Sequence, residues 1–131
     1  MVIIKESYVQ GQLKQKLEEA GFLVWIISDR FTAGIPDIYC AKDGEDYWLE
    51  LKVTNKKPGQ TIHLDNNKSS ERGFSRIQAV KLFELKEQGM NAAGVIYFPL
   101  EKEYIKIPPE DLDKSYTYSE IREKYPRLDL I

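Results

Sequence analysis

Cysteine and histidine are nearly absent. The 131-residue chain has one of each, Cys40 and His63. A single cysteine excludes an intramolecular disulfide and a cysteine-built zinc site. A single histidine excludes a His-rich metal cage and any mechanism that needs two imidazoles. Excess positive charge is also lacking: 19 Lys and Arg stand against 21 Asp and Glu, a net charge of −2. That excludes a globally basic nucleic-acid coat but leaves room for a local basic patch. No apolar run nears the roughly 18 residues of a membrane span. The start, Met1-Val2-Ile3-Ile4-Lys5-Glu6, lacks the pattern of a signal peptide. The expectation is a reducing, cytoplasmic compartment with no membrane partner. Repeats and low-complexity segments are missing too. What remains, 42% hydrophobic and 31% charged residues, suits one soluble domain with a single core.

Periodicity predicts the elements. Val9, Leu13, Leu17 and Ala20 recur at helical spacing, with Ser7-Tyr8-Val9-Gln10 as a capping box and Gly21 as the stop. Residues 22–27 read as a buried strand, followed by a polar loop to Pro36. Residues 37–41 and 46–53 read as a hairpin around Asp43-Gly44. In its second strand Trp48, Glu50 and Lys52 share one face, and Leu49, Leu51 and Val53 the other. Residues 54–74 read as a long loop. A second helix, 76–88, is capped by Ser75 and closed by Gly89, and its apolar residues lie nearly all round. Such a helix is expected to be covered on more than one side. Strands at 92–98 and, at a sheet edge, 103–107 complete residues 1–107 as one domain with an insertion at 54–74. Residues 108–131 form a polar extension in which Tyr116, Tyr118, Ile121 and Tyr125 can anchor a small helix. The order α-β-β-β-α-β-β predicts an α+β fold with a mixed sheet.

Phosphodiester hydrolysis needs a cation at the phosphate, an activated water and a stabilised leaving oxygen. With one His and one Cys, this chain can offer a metal only oxygen ligands, which suits magnesium. Glu50 and Lys52, two apart on a strand, point the same way, so Lys52 can reach a water on a metal held by Glu50. Asp37 opens the neighbouring strand, and pairing can set it alongside Glu50. The Leu51 carbonyl is a further candidate ligand. Glu-x-Lys alone is uninformative, since 13 Glu and 14 Lys produce it by chance. Glu84-Leu85-Lys86 is a second copy, but on a helix its two charges point about 200° apart.

Gly34-Ile35-Pro36-Asp37 followed by Glu50-Leu51-Lys52 resembles the PD-(D/E)xK nuclease motif. The chain is similar, more narrowly, to stand-alone VRR-NUC domains of phages and bacteria, over residues 5–98. The resemblance implies a restriction-endonuclease-like fold and magnesium- or manganese-dependent cutting of DNA. It also implies likeness to Holliday-junction resolvases and a homodimer. Glu6 matches the family's N-terminal acidic position and Gln78 its glutamine position. The stretch between Lys52 and Gln78 is longer than the family pattern, and the tail after Phe98 has no counterpart in it.

Each candidate has a plainer alternative. Glu6 is also an anion at a helix start, and Gln78 is also the third residue of a capping box with Ser75. His63 reads as a loop residue, Cys40 as a core group and Trp48 as packing under the second helix. Between residues 52 and 76, Lys52, Lys56, Lys57, Lys68, Arg72 and Arg76 outnumber Asp65 and Glu71, a local net charge of +4. A basic loop beside an acidic site suits phosphate-backbone contact. The expectation is therefore a metal-dependent, structure-specific endodeoxyribonuclease acting on branched DNA. The alternatives are an end-processing or restriction-type nuclease on the same site, or a non-cutting DNA-binding or assembly module.

Overall fold

Helix α1, Glu6–Glu19, packs through Val9, Leu13 and Leu17, all 0% exposed, as their four-residue spacing requires. The computed structural model describes residues 4–27, 31–68 and 73–131. The predicted Ser7–Gln10 capping box is not what starts the helix. Lys5 is the N-cap, without a side-chain bond, so Ser7 lies inside the first turn. The Gln10 amide is drawn instead to Asp37.

Strands β1 (Leu23–Ile26), β2 (Ile38–Lys42) and β3 (Glu45–Val53) are antiparallel neighbours. The β2–β3 hairpin turns on Asp43 and Gly44, at φ 53° and 81°, with Lys42 paired to Glu45. Both central residues are left-handed, the geometry that matches strand twist and that Asp-Gly supplies at little cost.

Strand β1 is not buried as its apolar run suggests. It is the sheet's outer strand, with Val24 turned inward and Leu23 and Trp25 55% and 57% exposed. A run read alone cannot show whether a neighbour covers its second face.

After the insertion come helix α2 (Arg76–Glu87), β5 (Asn91–Phe98) and β6 (Glu103–Ile107). The ordering in space is β1-β2-β3-β5-β6. The β3–β5 pair is parallel and the other pairs are antiparallel, so the sheet is mixed with β6 at its edge.

The insertion is not a structureless loop. Its strand β4 (Thr61–His63) pairs antiparallel with β7 (Ser115–Thr117), with Ile62 opposite Tyr116. Helix α3 (Tyr118–Lys124) follows directly.

Two apolar layers result. Alternation sends Val24, Ile38, Cys40, Leu49, Leu51 and Val53 to the α1 side. On the other side Ile62, Leu64 and Phe74 of the insertion meet Leu82 of α2, Ile96 and Phe98 of β5, and Tyr118 and Ile121 of the tail. The α2 helix is covered on one side only. Leu82 is its fully buried residue, whereas Ile77, Val80 and Phe83 remain 42–45% exposed.

Candidate active site

The approach to Asp37 is fixed by Gly34. Its φ is +80°, and a Cβ there would fall 2.8 Å from the Ile77 carbonyl oxygen. Only glycine lets the loop lie this close to the first turn of α2. Pro36 then delivers Asp37 one residue ahead of β2. The ladder between β2 and β3 ends at Ile38–Leu49, so its next step sets Asp37 opposite Glu50.

Each oxygen of Asp37 has a partner. Leu51 N–H donates to Oδ1 at 3.2 Å, and the Gln10 amide donates to Oδ2 at 2.9 Å. A strand residue's N–H and C=O leave on the same side, so the Leu51 carbonyl also faces Asp37. Glu50 is 4% exposed on the central strand β3. The Lys52 ammonium lies 3.8 Å from Glu50 Oε2. Strand alternation thus unites Glu50 and Lys52, and pairing adds Asp37, as the spacing suggests.

Burial dominates the electrostatics. It pushes Glu50 up to about 8, with the Asp37 charge adding to the rise and Lys52 opposing it. Burial also pushes Asp37 up to about 6, against the Leu51 N–H bond, which lowers it. Glu6, in the first turn of α1, raises both. Two desolvated carboxylates side by side hold one proton between them more readily than two charges. Such a pair gains strongly from a cation.

Among the described residues, no three His, Cys, Asp or Glu groups form a ready-made metal cage. The donor set still fits magnesium, which commonly takes one or two carboxylates and leaves its other positions to water and phosphate.

Gln10 is the residue that the sequence reading misses. It follows Glu6 by four positions, so both lie on one face of α1. That spacing is the available signal, and the local Ser7–Gln10 pattern masks it. Gln78 does sit in its capping box: its N–H donates to Ser75 Oγ at 3.1 Å and its Oε1 accepts from Ser75 N–H at 2.9 Å.

Among the basic candidates, Lys56 lines a small cavity together with Lys52, and Lys57 is exposed. Arg76, also exposed, opens α2. Lys68 closes a 3₁₀ turn, Asn66–Lys68, and Arg72 lies outside the described residues.

The plainer readings hold for Cys40 and Trp48, whereas His63 is not a loop residue but the last residue of strand β4. His63 Nδ1 bonds Ser115 Oγ at 2.7 Å, and Cys40 is 0% exposed in the core. Trp48 packs its ring on Tyr39, with centroids 4.8 Å apart, and lines a cleft with Pro36 and Leu85. The second Glu-x-Lys points elsewhere, since Lys86 binds Glu110 at 2.7 Å.

Comparison with solved structures adds a Holliday junction resolvase, Hjc, from the archaeon Archaeoglobus fulgidus. It matches with a TM-score of 0.66 and 14% identity over 92% of this chain and 94% of that one. The fold is that of the restriction-endonuclease-like resolvases. A VRR_NUC domain also matches, with a TM-score of 0.50 and 24% identity over 72% of this chain and 85% of that one. No protein-family model matches the sequence, and no curated protein does either. At 92% of the chain, the likeness to the resolvase reaches beyond the 5–98 span that carries the motif resemblance.

Proposed function

We propose that the chain is a metal-dependent, structure-specific DNA endonuclease, with Holliday-type junctions as its substrate class. One observation carries the reading. On a resolvase fold, a carboxylate pair, half-buried Asp37 and buried Glu50, meets an ammonium, Lys52, 3.8 Å from Glu50.

Asp37, Glu50 and the Leu51 carbonyl would hold Mg²⁺, with Glu6 adding negative charge nearby and Mn²⁺ able to substitute. When bound, the ion would neutralise the phosphate and ease departure of the leaving oxygen. The chain supplies the rest. Gln10 and the Leu51 N–H keep both oxygens of Asp37 in place. The Lys52 ammonium orients the attacking water by its charge and N–H groups, and the proton that the water loses passes to bulk solvent. Lys56, Lys57, Lys68, Arg72 and Arg76 contact phosphates, so sequence preference is low. Two copies related by a twofold axis cut paired strands of a junction.

The test compares junction, flap and linear duplex DNA with Mg²⁺, and calorimetric Mn²⁺ titration of Asp37→Asn and Glu50→Gln. Junction cutting that both substitutions abolish, with weakened Mn²⁺ affinity, is the expected result. Preferred cutting of flaps would make the protein an end-processing nuclease. No cutting at all would make it a binding module. Unchanged Mn²⁺ affinity in both variants would remove the metal assignment.

A further inference from the structure

We infer that Phe74, carried by the insertion, is a positioning residue for Lys52. This rests on the role given to Lys52 above.

The Lys52 ammonium lies over the Phe74 ring, 6.0 Å from its centroid. The ring is 1% exposed and the Lys52 side chain 15%. A cation on an aromatic face is held more strongly as water is excluded. A lysine has a long stem of rotatable bonds, so a fixed surface beneath its head decides where the charge rests.

Three features fix the ring. Phe74 N–H donates to the Leu64 carbonyl at 2.6 Å, and its own carbonyl accepts from Asn66 N–H at 3.0 Å. The next residue, Ser75, is the N-cap of α2. The ring itself fills a notch made by Gly94, the residue paired with Glu50 across β3 and β5. A Cβ at Gly94 would fall 2.8 Å from Phe74 Cζ. The sheet therefore omits a side chain beside Glu50, and the insertion puts an aromatic face there.

Beside the ring lies a cavity of about 20 Å³ lined by Lys52, Ile62, Leu64, Phe74 and Ile96. Losing the ring would enlarge that space and give Lys52 a way to fold back from Glu50. The insertion thus acts on the chemistry from beneath the site, in addition to offering cations to DNA.

The experiment replaces Phe74 with a series of ring-fluorinated phenylalanines. They keep the shape while progressively removing negative charge from the ring face. The kcat on junction DNA at saturating Mg²⁺ should fall in step with fluorination, by roughly 3- to 30-fold for the fully fluorinated ring. KM and the thermal midpoint should hold. In the metal-free protein, the ring current of Phe74 should displace the Lys52 ε-methylene proton resonances, and Phe74→Leu should restore them.

A flat kcat across the series, or unshifted Lys52 resonances, overturns the inference. Lys52→Ala separates the two levels of argument. If that variant cuts at the wild-type rate, the role of Lys52 itself fails. If it is inactive while the fluorine series is flat, only the role of Phe74 fails.

Discussion

Burial beside another carboxylate makes Glu50 a weaker acid than a free glutamate. Its pKa rises from 4.5 to about 8 on burial beside Asp37. The folded chain therefore holds a proton that the unfolded chain releases at lower pH. Stability from this group is full below about 4.5 and is lost as pH rises through about 8. Glu50→Gln should flatten that loss and stabilise the metal-free protein at pH 8 by on the order of 1–3 kcal/mol, while weakening metal binding. Thermal melts of both proteins across pH 5–9 check this. Equal pH profiles would mean that Glu50 is not the group responsible.

The two Glu-x-Lys copies provide a second contrast at the same scale. Lys52→Ala should cost roughly 10²–10⁴ in rate with DNA and metal binding kept. Lys86→Ala removes an ion pair whose partners are 45% and 46% exposed, and such pairs contribute about 0–1 kcal/mol. Its cutting rate should match wild type. Similar losses at both positions would sink the assignment of Lys52.

Among the elements, the hairpin could be read from the sequence because its determinants are local. Asp43-Gly44 sets the turn, and the alternation Trp48-Glu50-Lys52 sets the face. Ser75 and Gln78 likewise carry the α2 start within four residues. Of the site, Asp37, Glu50 and Lys52 were legible, because one hairpin joins them. Gln10 was not, since its partner is 27 residues away and its local pattern suggested a cap. Strand β4 was hidden for the same reason: three residues pair with a segment more than 50 positions later, and only tertiary packing defines them.

The insertion's cations form the prediction at this scale. Removing Lys56 and Lys57 together should weaken binding alike across sequences. It should also flatten the salt dependence by roughly one to two units of slope, about 0.9 per lost phosphate contact. Binding measured at several salt concentrations reads both effects. A changed sequence preference with an unchanged slope would contradict backbone contact.

At the scale of the whole molecule, the sheet is covered unevenly. One side carries α1 and the end of the tail, Leu128 and Leu130, and the other carries α2 with the insertion and the tail from Leu112 to Tyr125. Ile77, Val80 and Phe83 on α2, with Leu23 and Trp25 on the outer strand, remain partly exposed. That apolar surface supports the proposed dimer, because large exposed apolar patches commonly mark association sites. Light scattering at micromolar concentration should give twice the 15.2 kDa chain mass. Val80→Glu with Phe83→Glu should return it to a single chain. A 15.2 kDa species that still makes paired cuts would refute the twofold arrangement.

The pairing of β4 with β7 has a consequence for the order of synthesis. When residues 61–63 leave the ribosome, their strand partner, 115–117, has not yet been translated. Ile62 and Leu64 then lack Tyr118 and Ile121, the tail residues of their cluster. The carboxylates and Lys52 are made early, yet the layer beneath them closes only after residue 121 has emerged. A nascent chain thus carries Asp37, Glu50 and Lys52 well before the layer beneath them can close, and the proposed cutting would begin only after translation has passed the tail.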